Sequence, residues 1–109
     1  MIFPFDEVEN DMAHPEVKET FDRLWALHQA KDSDYAGQAP LSNLRQCERF
    51  GVPAWKGALV RMSDKWSRLV SVVEKGGSPD VKTESIDDTL DDLAVYAVIV
   101  RVLRKEAGL

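Results

Sequence analysis

Glu84-Ser-Ile-Asp87-Asp88-Thr-Leu-Asp91-Asp92-Leu-Ala-Val-Tyr96-Ala97 runs without a break into Val98-Ile-Val100. Five carboxylates crowd into nine residues, and an apolar segment follows directly. At about 3.6 residues per turn, Glu84, Asp88 and Asp91 or Asp92 fall along one helical stripe. Carboxylates this close repel one another, so either water screens them or a cation holds them. The segment from Leu93 to Val100 is apolar on every side, and a helix of that kind is buried on more than one side. The short chain offers few helices to bury it, so a partner subunit is expected; the alternative is that the short helix and the N-terminal arm cover the rest.

Working outward, the same periodicity organises the rest of the chain. Pro15 suits a first helical position, and Val17, Phe21, Leu24 and Leu27/His28 give helix one an apolar face over roughly 15–31. Residues 32–40 read as a loop broken by Gly37 and Pro40. A short helix is expected near 42–50, with Ser42 as N-cap and Gly51 as its stop. Pro53 then opens a long helix to about residue 75, which Gly76-Gly77 ends. Leu59, Met62, Trp66, Leu69, Val70 and Val73 form its expected apolar side. The last helix spans roughly 84–106, with Ser85 or Thr83 as cap. Alternating strand patterns with turn dipeptides are missing. The expected fold is all-α, a small bundle of three long helices and one short helix in a single domain over 14–109. Residues 1–13 form an acidic arm that orders only if Phe3 and Phe5 dock.

Composition narrows the function classes. The chain has 109 residues, with 44% hydrophobic and 30% charged. This is globular composition for one domain, small enough to gain from oligomerisation. A net charge of −5 argues against polymeric nucleic acid as the main partner. No signal peptide or membrane span is apparent. The single cysteine, Cys47, cannot form a disulfide within the chain, which suits a reducing cytoplasm. His14 and His28 share no ligand spacing with it, so zinc is not expected.

Three groups of residues bear on chemistry. The acidic stripe could bind Mg²⁺, which prefers carboxylate oxygens and shares substrate phosphates. Helix-dipole stabilisation accounts equally well for Glu84, Asp87 and Asp88, but fades before Asp91 and Asp92. Arg61, Lys65 and Arg68 lie on one stripe at i, i+4 and i+7, with Asp64 beside them. They could clamp phosphate oxygens, or pair with the carboxylates of the last helix. In the loop after helix one, Tyr35 could stack on a base and Lys31 could reach a phosphate, with Asn43 and Trp55 flanking the same space. A polar loop with one anchoring aromatic is the plainer alternative. Trp25 and Trp66, set within apolar stripes, are expected in the core.

Taken in order, Lys31-x-x-Asp34-Tyr35, Asn43, Arg61-x-x-Asp64-Lys65-x-x-Arg68 and Glu84-Ser-x-x-Asp88-Thr-Leu-x-Asp92-Leu-Ala-x-Tyr96-Ala resemble the nucleotide-modification-associated domain family of its first type. This small helical family is frequent in phages. The chain is also distantly similar to the MazG-like all-α NTP pyrophosphatases. The resemblance covers roughly residues 20–104. It implies an oligomeric helical bundle, a dimer or tetramer, that acts on nucleotides in the cytoplasm, or in the host cytoplasm if phage-encoded. It further implies Mg²⁺-dependent release of pyrophosphate from a (deoxy)nucleoside triphosphate. Carried over, Glu84, Asp88, Asp91 and Asp92 would hold metal, and Asp64, Glu84 and Asp88 would serve catalysis. Lys31, Arg61, Lys65 and Arg68 would bind phosphates, and Asp34, Tyr35, Asn43, Trp55 and Tyr96 the base or sugar. Arg61 stands where the pyrophosphatases place an acidic ligand. That departure weakens metal binding and leaves two alternatives: a module that binds a nucleotide without cleaving it, and a structural helical oligomer whose charged stripes pair.

Overall fold

The structure is a computed structural model that describes residues 12–35, 39–76 and 86–109, and of residues 32–35 the backbone alone. Nearly all of the expected arm, the Gly76-Gly77 loop beyond Gly76 and the Ser85 or Thr83 cap lie outside the described residues. All regular structure within them is helical: α1 (Pro15–Tyr35), a 3-10 segment (Ser42–Phe50), α2 (Ala54–Glu74) and α3 (Ile86–Glu106).

The core is an antiparallel pair, α2 against α3, with the 3-10 segment wedged beside it. Ala54 and Ala58 of α2 cluster with Ile99, Val100 and Leu103 of α3, and Leu41 and Leu44 join from the 3-10 side. Lys65 meets Asp92 further along, so the two helices run in opposite directions. On α3 the inward-facing stripe is Thr89, Asp92, Tyr96, Ile99 and Leu103, spaced three and four apart, with Asp92 and Tyr96 half-buried and the others buried. On α2 it is Ala54, Ala58, Met62, Lys65, Leu69 and Val72, of which Met62 and Lys65 are half-buried. Alanine at 54 and 58 lets the helices approach closely. Gly57 permits the same toward the 3-10 segment, because a Cβ there would lie 2.6 Å from Cys47 Sγ.

That close approach turns α2 so that Met62 and Leu69 of the expected apolar side face inward and its other members do not. Leu59, Trp66, Val70 and Val73 are exposed, and Trp25 of α1 is exposed as well, so neither Trp25 nor Trp66 is a core residue. The small residues, not the large ones, determine which side of α2 packs.

Boundaries shift for equally local reasons. Helix α1 continues four residues past the expected end, through Asp32-Ser-Asp34-Tyr35, because nothing in that run forbids helix before Gly37. The short helix is 3-10 rather than α. Its cap position is Leu41, at φ 61° and ψ 18°, with no side-chain cap from Ser42. A left-handed leucine is uncommon and costs on the order of 1 kcal/mol. Burial of its side chain in the core offsets that cost. Gly51, also left-handed at φ 77°, closes the segment as expected, with its N–H donating to Glu48 O at 3.1 Å.

Helix α1 is held differently. Leu24 is its buried residue, with Leu27 and His28 half-buried. Polar ties do much of the rest: Arg23 donates from Nη1 and Nη2 to Asp91 Oδ2 and Oδ1 at 2.9 and 3.0 Å, and Lys31 Nζ reaches Asp92 Oδ1 at 3.4 Å.

Candidate functional site

The three helices and the 3-10 segment leave an open cleft of about 410 Å³ where they meet. Its apolar side is Leu27, Leu41, Leu44, Val95 and Ile99, and its polar side is His28, Lys31, Asn43, Arg61, Lys65, Asp92 and Tyr96. Six of the residues singled out in the sequence thus converge here: Lys31, Asn43, Arg61, Lys65, Asp92 and Tyr96.

Each arrives from a definable position. Lys65 and Asp92 occupy core-stripe registers of α2 and α3, so their heads meet in the middle of the hairpin. Lys65 Nζ lies 2.9 Å from Asp92 Oδ2, and Lys31 Nζ approaches the other carboxylate oxygen. Asp92 is therefore a carboxylate between two ammonium groups, with its side chain only 18% exposed. Arg61 sits one turn from Lys65 and extends the positive rim. Asn43 enters from the 3-10 segment, and Tyr96 lies one turn beyond Asp92. The result is an apolar wall facing a rim of three cations. An anion carrying an apolar or aromatic body fits this arrangement.

The other expected site residues are placed elsewhere. Asp91 and Asp92 are adjacent in sequence, but a helix turns about 100° per residue, so they face different partners. Asp91 is turned toward α1, where the Arg23 fork engages both of its oxygens. The same carboxylate holds the Arg23 guanidinium pKa above its ordinary value, through the hydrogen bond first and its charge second. Asp64, Arg68 and Asp88 are exposed and do not line the cleft. Trp55 packs against the core with the Arg104 guanidinium 4.7 Å and the Lys56 ammonium 5.4 Å from its ring centre, so it also lies outside the cleft lining. Glu84 and the side chains of Asp34 and Tyr35 fall outside the described residues. Among the described residues, no three His, Cys, Asp or Glu side chains gather closely enough to hold a metal ion.

Sequence reasoning missed His28 and Arg23. His28 precedes Lys31 by three positions and so shares its face, a signal obscured by counting His28 into the apolar stripe. Arg23 carried no local signal, since its partner is 68 residues away.

The chain matches no protein-family model, no curated protein and no solved structure. No helix among the described residues is long and apolar enough to cross a membrane.

Proposed function

We propose that the cleft binds a nucleotide, with Lys31, Arg61 and Lys65 on the phosphate chain and Asn43 and Tyr96 on the base or sugar. The observation that carries this reading is the convergence of three cations, Lys31 from α1 and Arg61 and Lys65 from α2, on one apolar-walled cleft. The motif resemblance to the nucleotide-modification-associated family points to the same ligand class. In this reading the protein is a nucleotide-binding module of phage or bacterial nucleotide metabolism. It works in a reducing cytoplasm, which suits its single Cys47. It assembles as a homo-oligomer, a dimer or tetramer.

Binding is favoured over cleavage by where the carboxylates point. Asp92 is neutralised by two lysines, and Asp91 is engaged by Arg23. The second reading, Mg²⁺-dependent pyrophosphohydrolysis of a (deoxy)nucleoside triphosphate, is supported by the presence of a carboxylate in the cleft. There Asp92 would hold the metal beside the phosphates, with Glu84 and Asp88 as further ligands and Asp64 as a ligand or base.

Asp92→Asn separates the two. Under the binding reading it removes a negative charge competing with phosphate for Lys31 and Lys65. The affinity for ATP measured by calorimetry in EDTA then rises roughly fivefold, the effect of about 1 kcal/mol between unit charges near 4 Å in water. Under the metal reading, the same substitution abolishes Mg²⁺-dependent pyrophosphate release from NTPs and dNTPs. If the wild-type protein shows no binding of any nucleotide in either condition, both readings fail, and the charged stripes are structural.

A further inference from the structure

The positive charge of the cleft is gathered at a point and not laid out as a track. Lys65 Nζ and Lys31 Nζ lie 2.9 and 3.4 Å from the two oxygens of one carboxylate, Asp92, so both ammonium groups converge on the same spot. Arg61 stands one turn from Lys65 on α2, and positions so related have Cβ atoms about 5–6 Å apart. Among the described residues Arg61 forms no ion pair, and it is the cleft cation that Asp92 does not engage. Three positive lining side chains against one negative give the cleft a net charge of +2 among the described residues.

The flanks of this point differ. Toward the start of α3 the surface is acidic. Asp87 and Asp88 are exposed there, and with Asp91 they act on the Arg23 guanidinium, whose fork Asp91 already engages. Arg68, one turn beyond Lys65, is exposed and outside the cleft lining. In the other direction, two turns along α3 from Asp92, Ile99 packs with Leu41 and Leu44. Half-buried Tyr96 lies between.

We propose that the ligand of the cleft is a nucleoside monophosphate, held by a single phosphate group, and that the cleft discriminates against nucleoside triphosphates. This names the ligand class within the nucleotide-binding reading and rests on that reading. A phosphate monoester carries about −1.5 to −2 charges at pH 7, the counterpart of the cleft's net charge. Arg61 can fork onto two of its oxygens while Lys65, one turn away, takes the third. With the base against Leu41, Leu44 and Ile99, a longer phosphate chain extends toward Asp88 and Asp91, where each added phosphate meets like charge. The volume agrees, since about 410 Å³ lies near the small end of the roughly 300–1,000 Å³ of small-molecule sites.

Calorimetry on the full chain in EDTA tests this, with AMP, GMP, CMP, UMP and their deoxy forms each set against the matching triphosphate. At least one monophosphate should bind roughly fivefold tighter than its triphosphate, the effect of one unbalanced charge near 4 Å in water. A triphosphate that binds as tightly or more tightly overturns the proposal and leaves the nucleotide reading standing. No binding of any nucleotide rejects the nucleotide reading itself. Asp92→Asn, checked for helicity by circular dichroism, raises the net charge of the cleft by one unit, so the preference for the monophosphate should shrink. An unchanged ratio overturns the charge matching on which the proposal stands. Arg61 is exposed, so Arg61→Gln is the variant least able to disturb the fold. It should weaken the monophosphate at least tenfold and leave the affinity for the matching nucleoside unchanged. An unaltered monophosphate affinity would equally overturn the proposal.

Discussion

At the scale of single residues, the tightest constraint is the approach of Gly57 to Cys47. In an exposed helix interior, Gly→Ala is worth up to about 1 kcal/mol of added stability. Here the new Cβ would meet Cys47 Sγ at 2.6 Å and Cys47 Cβ at 3.4 Å. Overpacking typically costs about 1–3 kcal/mol, so the clash outweighs the helical gain. Gly57→Ala should therefore lower the urea-unfolding free energy by about 1 kcal/mol. In a Cys47→Ala background, with the sulfur gone, the same change should be neutral or stabilising. The coupling in that double-mutant cycle measures the contact. Asp91 and Asp92 teach a related lesson. Both read as members of one acidic stripe, yet the turn of a single residue gives one a fork from Arg23 and the other a place between lysines. The sequence contained the 3-4 stripe that separates them, Thr89-Asp92-Tyr96-Ile99-Leu103. Its polar members concealed it, because an apolar count skips Thr89 and Asp92.

At the scale of elements, α1 and the α2–α3 pair are built on different physics. The pair interlocks along much of its length, whereas α1 rests on Leu24 and on ion pairs to Asp91 and Asp92. Arg23→Ala should therefore loosen α1 alone. Hydrogen exchange is expected to accelerate in the amides of α1 and stay unchanged in α2 around Ala58, and uniform acceleration would contradict this partition. The Arg23 contact is insensitive to acid or base on the arginine side. Because its pKa is raised, the contribution is fully present wherever a free arginine is charged, and it is lost only as pH rises through the still higher folded-state value. Helix existence and order were readable from periodicity and from Gly51, Pro53 and Gly76. The facing of α2 was not. Two alanines and a glycine outvoted Leu59, Trp66, Val70 and Val73, and close approach is decided by what is small on both partners at once. Likewise, a run with Leu41 in the left-handed region has no signature that distinguishes a 3-10 segment from a short α-helix.

At the scale of the molecule, the packed interior is small. Leu103 is its most deeply buried large side chain, at 3% exposure. Leu103→Ala should reduce the unfolding free energy by about 3 kcal/mol, a large share of the roughly 5–15 kcal/mol of a typical domain. Urea melts compared at one fixed protein concentration would measure it, because an associating protein also gains stability by mass action. Lys31, Asn43, Arg61, Lys65, Asp92 and Tyr96 were all legible in the sequence as residue types suited to a nucleotide. Their assembly into one cleft required knowing that α2 and α3 are antiparallel and that the 3-10 segment folds back beside them.

The Lys65–Asp92 pair also acts as a ruler. Slide α2 along α3 by one turn, and Lys65 faces Thr89 or Tyr96 while Asp92 is left against Met62 or Leu69. Either misalignment strands a charge among uncharged neighbours, whereas apolar stripes alone would tolerate the slip far better. The zipper that keeps the two helices aligned is thus made from the same atoms that face the cleft. An incoming anion that draws Lys65 away from Asp92 unfastens the alignment as it binds, and the helical hairpin must then be held in register by the anion itself.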